Sequence, residues 1–143
     1  MEKKEMRILI INGVNLNMLG KREPSLYGNE TLESILEKLR KEYENRAEIE
    51  AIQTNTEHGI VDAIQQSSHD GIVLNAGAYT HYSYAIHDAI KSVPTPVIEV
   101  HLTNVYDRED IRHKSAIASA CKGSISGFGS LSYSLAIEAH LRR

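Results

Sequence analysis

Apolar and polar positions alternate along this chain with two periods. Ile8-Leu9-Ile10-Ile11 is an unbroken, mostly β-branched run that stops at Asn12-Gly13. Such a run predicts a strand over Arg7–Asn12 buried on both faces. Gly71-Ile72-Val73-Leu74-Asn75 and Val97–His101 read the same way, and Glu48–Thr54 alternates like a half-exposed strand. Gly123–Gly129 supplies a short fifth strand. Between these runs the spacing turns helical. Leu32, Ile35, Leu36 and Leu39 form one face of a helix capped by Thr31 and ending near Asn45. Ile60–Gln66, Ser83–Ser92, Arg108–Ala120 and Ser132–Leu141 give four more predicted helices.

This β-α alternation implies an α/β fold with a parallel sheet, helices on both faces and right-handed crossovers. Five strands suggest a flavodoxin-like three-layer sandwich with strand order 2-1-3-4-5. At 143 residues, 1–143 reads as a single domain without linker or repeat. The net charge of -3 lacks the basic footprint of a nucleic-acid binder. One cysteine, Cys121, excludes an internal disulfide framework, fits a reducing compartment and reads as a small core filler. No apolar stretch approaches the ~18 residues of a membrane span. MEKKEM is charged and leads straight into the first strand, with no signal-like core, so the expected location is the cytoplasm.

Candidate chemistry gathers at the ends of the strands. Asn12, Asn55, Asn75 and His101 each close a strand, and in a parallel sheet those ends share the edge where ligands bind. Each amide alone also fits an ordinary turn. The long loop after the first strand carries Lys21, Arg22, Tyr27 and Gly28 and has the length of a lid. Glu99 and His101 are two apart in one strand and therefore share a face. A carboxylate inside a strand needs a partner, and His101 is the obvious one. The pair is either structural or an oriented acid near neutral pH. His81 follows the third strand on the same edge, whereas His58, His69 and His140 fall where solvation is expected. The histidines show no zinc-site spacing, and no phosphate loop, GxGxxG fingerprint or GxSxG elbow is present.

The stretches NGVNLNMLGKREPSLYG, QTNTEHGIVDAI, NAGAYTHYSYAIHDAI, EVHLTNVYDREDIRHKS and KGSISGFGSLSY resemble, in order, the type II 3-dehydroquinate dehydratases. The resemblance covers nearly the whole chain and implies the flavodoxin-like fold. It implies dehydration of 3-dehydroquinate to 3-dehydroshikimate, the third step of the shikimate route, without cofactor or metal. It also implies a homo-oligomer, a dodecamer built as a tetramer of trimers. In this reading Tyr27 is the general base, Arg22 lowers its pKa, and Asn12 helps to hold the enolate, through a water. His101 is the general acid and Glu99 orients it. Asn75, His81, Asp88, Arg112 and the backbone amides of Leu102 and Thr103 bind the substrate, Asp88 reaching a neighbouring subunit's site. Arg108 adds positive charge to the pocket.

Two positions depart from the family pattern: Val14 stands where proline is usual, and His58-Gly59 replaces a Gly-acidic pair. The remaining tyrosines, Tyr79, Tyr82, Tyr84, Tyr106 and Tyr133, read as packing or interface residues without chemistry. The alternative from another class is a flavodoxin-like binding or signalling module. A flavin carrier wants a phosphate-gripping loop after the first strand, and a phosphoacceptor domain wants clustered aspartates at the strand ends. This chain has asparagines and a histidine there instead.

Overall fold

The computed structural model describes residues 5–21 and 29–142. Five strands, β1 (Met6–Asn12), β2 (Ala47–Gln53), β3 (Gly71–Asn75), β4 (Val97–His101) and β5 (Gly123–Ser126), form one sheet among the described residues. Its order is β2-β1-β3-β4-β5, and each neighbouring pair is parallel. The expected α/β architecture and strand order are therefore present. Among the described residues four α-helices, α1 (Leu32–Glu42), α2 (Glu57–Gln66), α3 (Tyr84–Lys91) and α4 (Leu131–Leu141), cover the two faces.

The period of two along each strand divides the core. Ile8, Ile10, Val73, Ile98 and Val100 face one side, where they meet Ile35 and Leu39 of α1 and Tyr133, Ala136 and Ile137 of α4. Leu9, Ile11, Ile72, Leu74 and Val97 face the other, against Ile60 and Ile64 of α2 and Ile86 and Ile90 of α3. Each buried aliphatic side chain contributes roughly 1.5–3 kcal/mol, so an unbroken apolar strand sandwiched between two layers is the stable solution here. Local signals agree with these positions. Thr31 and Ser34 form a reciprocal capping box at α1, and Thr56 and Ser83 cap α2 and α3.

Three expectations need correcting. The stretch 108–120 is not an α-helix: it folds as short 3-10 turns at Asp110–Arg112 and Ala118–Ala120, preceded by one at Val105–Asp107. Side chains take the backbone partners a helix would need. Asn104 Oδ1 accepts from the Tyr106 N–H, Ser115 Oγ accepts from the Ile117 and Ala118 N–H groups, and the Ala116 N–H bonds the Thr80 carbonyl. β5 stops at Ser126, because the chain turns through Gly127 and Gly129, both at positive φ. His140 and His69 are not solvated. His140 is fully buried with Nε2 donating to the Ile72 carbonyl, and the His69 ring is enclosed beside Glu50. His58, by contrast, is exposed on α2.

Candidate active site

The C-terminal edge of the sheet is closed by two loops locked backbone to backbone. The Gly13 N–H donates to the Asn75 carbonyl at 2.7 Å. A Cβ on Gly13 would stand 2.5 Å from the Ala76 carbonyl oxygen, and one on Gly77 would stand 2.7 Å from that of Val14. Gly77 also has φ +65°, so glycine is required there on two counts. Val14 thus packs directly against the turn after β3. Asn15, at φ 69°, then starts a single 3-10 turn over Leu16–Met18.

The strand-end amides divide into two kinds. Asn55 holds turns together: its Oδ1 accepts from the Asn15 N–H and from Gln53 Nε2, and its carbonyl accepts from the Tyr79 hydroxyl. Asn12 and Asn75 are register partners on β1 and β3, with Asn12 fully buried and Asn75 nearly so. By the period of two, both leave the sheet on the face covered by α4. There the Tyr133 hydroxyl lies 3.2 Å from Asn75 Nδ2 and 2.5 Å from Asn12 Oδ1.

Glu99 and His101 leave the sheet on the opposite face. His101 Nε2 is 3.0 Å from Glu99 Oε2, and the Glu99 side chain is 1% exposed. A carboxylate only accepts, so the shared proton belongs to Nε2, and Nδ1 is the ring nitrogen left for other chemistry. Burial acts to raise the Glu99 pKa. The hydrogen bonds from His101, Ser124 and Ser115 and the charge of His101 outweigh it, and the carboxyl lies below its ordinary value. Glu99 is thus an ionised group that orients an imidazole.

His101 opens onto a cavity of about 120 Å³ lined also by Asn75, His81, Leu102, Thr103, Arg108 and Arg112. His81 Nδ1 lies 2.8 Å from the Lys114 carbonyl and must carry its proton there. Burial, the largest cause, pushes the His81 pKa below the usual histidine value against the pull of that carbonyl, and the charges of His101 and Arg112 add to it. His81 is therefore neutral near pH 7 and offers Nε2 as an acceptor. Its ring stacks 6.5 Å from that of His101. Arg112 is held by Glu109 Oε1 at 2.6 Å, and Arg108 Nη1 reaches Thr103 Oγ1 at 3.4 Å. The segmented 3-10 path of residues 105–112 places both guanidinium groups at the cavity. Two cations beside a histidine and an amide suit an anionic, hydroxyl-bearing ligand.

The structure thus brings together Asn75, His81, Leu102, Thr103, Arg112 and the Glu99–His101 pair at the cavity, with Asn12 outside its lining, beside Asn75 on the neighbouring strand. Asp88 is not among them. Its side chain is 81% exposed on α3 and bonds only His87 among the described residues. Arg22 and Tyr27 lie outside the described residues. Sequence reasoning missed the supporting residues Ser115, Ser124 and Tyr133, along with Val14, Leu16 and Met18 in the cavity wall. None of their roles had a signal in the spacing: Tyr133 reads as one more packing residue on a helix built for the core. Cys121 is inert, since burial and then the charge of Glu99 push its thiol up to about 12. Among the described residues, no three His, Cys, Asp or Glu side chains are placed to hold a metal ion, and no helix is long and apolar enough to cross a membrane.

Comparison with known proteins places this geometry in context. The family description "Dehydroquinase class II" matches residues 6–141. A 3-dehydroquinate dehydratase of Caldicellulosiruptor bescii is 52% identical over 137 residues, covering 93% of this chain and 94% of that protein. One from Clostridium beijerinckii is 51% identical over 138 residues, covering 94% of each. Among solved structures, the type II dehydroquinase of Butyrivibrio crossotus superposes with a TM-score of 0.92 at 46% identity, over 95% of this chain and 97% of the other. With the fold, the strand-end residues and these likenesses in agreement, the chain belongs to the class II dehydroquinase family.

Proposed function

We propose that the chain is a hydro-lyase that removes water from 3-dehydroquinate to give 3-dehydroshikimate, in the shikimate route to chorismate and the aromatic amino acids. The observation that carries this is the buried Glu99–His101 pair opening onto a cavity flanked by Arg108 and Arg112. The family and the names of its relatives supply the substrate.

The chemistry divides among the residues as follows. Tyr27 takes a proton from the carbon beside the ketone. A phenol with an ordinary pKa near 10 is a weak base at neutral pH, so the Arg22 guanidinium is needed to favour the phenolate. The electron pair left on carbon moves onto the carbonyl oxygen, and Asn12 stabilises that enolate through a water. The enolate then collapses and expels the β-hydroxyl. His101 protonates the departing oxygen through Nδ1, while Glu99 holds the ring and stabilises its charge. Asn75, His81, Arg112 and the backbone amides of Leu102 and Thr103 bind the substrate. The reaction uses no cofactor. Asp88 serves the site of a neighbouring subunit, which explains its exposure in one chain. The assembly is a homo-oligomer, a dodecamer arranged as a tetramer of trimers, working in the cytoplasm.

The test is ultraviolet absorbance on fresh 3-dehydroquinate after the protein has been treated with chelator, and with borohydride in the presence of 3-dehydroquinate, and then freed of both reagents. A rising conjugated-enone signal supports proton abstraction without a metal or a lysine imine. A flat trace from folded, untreated protein ends the proposal, and activity lost only after borohydride removes Tyr27 as the base.

A further inference from the structure

Asn12 Nδ2 is fully buried and has no hydrogen-bond partner among the described residues. A buried amide donor left unpaired costs roughly 1–3 kcal/mol and calls for a reason. The reason lies in the direction of the hydrogen bonds around it. The Gly77 backbone N–H lies 3.3 Å from Asn75 Oδ1 and can only donate. That contact sets the Asn75 amide with its oxygen toward Gly77 and Nδ2 toward Tyr133. Asn75 Nδ2 therefore donates to the Tyr133 hydroxyl at 3.2 Å. The Tyr133 oxygen accepts there, which leaves its one proton for the neighbour on the other side, Asn12 Oδ1 at 2.5 Å. With its oxygen engaged, Asn12 has its amide NH₂ facing away from Tyr133. Each link is forced by the one before it.

We infer that Tyr133 is a positioning residue for the dehydration: its hydroxyl relays a one-way hydrogen-bond chain from Gly77 through Asn75 to Asn12 and holds the Asn12 amide with its N–H groups turned away from the phenol, kept for the water that bridges to the enolate. This rests on the functional reading above and extends it to a residue of the closing helix. Without the phenol the Asn12 side chain could turn over and present its oxygen, an acceptor, to a developing negative charge. The helix α4 that carries Tyr133 packs on β3, β4 and β5, so the phenol is anchored to the sheet whose edge it organises. Burial raises the Tyr133 pKa well above the tyrosine value, only partly offset by the Asn75 hydrogen bond. The phenol therefore stays protonated and donates at every working pH, which separates it from a general base.

The test is Tyr133→Phe, which keeps the ring and deletes the hydroxyl, alone and combined with Asn12→Ala. Removing a preorganised donor to an oxyanion costs about 100- to 1,000-fold, so losing its orientation costs about 10- to 100-fold in kcat. KM should change less than about threefold. In the Asn12→Ala background, adding Tyr133→Phe should lower kcat by less than about twofold, because there is no amide left to orient. An unchanged kcat in the folded single variant overturns the inference. So does a full multiplication of the two losses in the double variant, which is the mark of a merely structural hydroxyl. Wild-type turnover in the same assay carries the functional reading separately. If Tyr133→Phe does not fold, nuclear magnetic resonance of the wild-type Asn12 side-chain amide decides instead. Its protons should shift when 3-dehydroshikimate saturates the site, and unmoved signals overturn the assignment.

Discussion

Replacing Glu99 by glutamine changes one atom in a side chain that is 1% exposed and removes one charge. The Glu99→Gln side chain has the same shape, so the strand keeps its packing, and the amide oxygen in the Oε2 position still accepts from Ser115. What is lost is the charge-assisted bond to His101, now 3.0 Å. Such bonds contribute about 1.5–3 kcal/mol, and each 1.36 kcal/mol is a factor of ten in rate. The expected loss in kcat is therefore about 10- to 150-fold, with KM within about threefold, read as initial rates of enone absorbance on 3-dehydroquinate. Stability adds a second readout with a definite sign. The Glu99 pKa is depressed in the folded protein, so its contribution is present above the unfolded carboxylate value near 4.3 and is lost as the pH falls through the folded value. Glutamine does not titrate. The difference in unfolding free energy between wild type and variant should shrink from pH 7 toward pH 3. A folded variant with kcat within twofold of wild type would refute the reasoning, because the carboxylate would then neither orient nor charge-stabilise the imidazole.

Three further outcomes are expected. His101→Ala should lower kcat by at least about 100-fold, in the range of a general acid, while size-exclusion elution stays unchanged; normal turnover removes His101 as the acid. Mixed assemblies of Asp88→Ala and Tyr27→Phe subunits should recover activity that neither homogeneous assembly has, and no recovery in verified mixtures rules out a site shared between subunits. Gly77→Ala should lower the unfolding free energy by at least about 1–2 kcal/mol, since a left-handed residue and a backbone clash coincide there; an unaltered denaturation midpoint would show that the two loops can part at no cost.

Much of this architecture was legible because the strands announce themselves. Ile8–Ile11 and Ile72–Leu74 are apolar on both faces, and a parallel sheet between two helical layers is what such runs require. Glu99 and His101 were legible for a related reason: two polar residues sharing a face in an apolar strand have few partners but each other. The stretch 108–120 misled because Ala116, Ile117 and Ala120 imitate helical spacing, while the competing bonds of Asn104 and Ser115 depend on where the chain lies in space. His140 and Tyr133 escaped because α4 is buried around most of its circumference, taking serines, a histidine and a tyrosine into the interior with its aliphatic residues. Periodicity does not distinguish a phenol that fills space from one that bonds two asparagines 58 and 121 residues away.

The irregular crossover from β4 to β5 has a consequence for local stability. A helix holds itself by a ladder in which each turn supports the next. Residues 105–120 are instead held by separate contacts from Asn104, Ser115 and Thr80, and the loss of one contact does not propagate through a ladder. Such a segment opens at a lower free energy than the sheet beneath it, and its amides exchange with solvent sooner. Arg108 and Arg112 ride on it while Asn75 and His101 stand on the strands. A bound anion therefore ties a segment held by single contacts to the sheet beneath it, and tight binding and protection of this segment from exchange are two readings of one free energy.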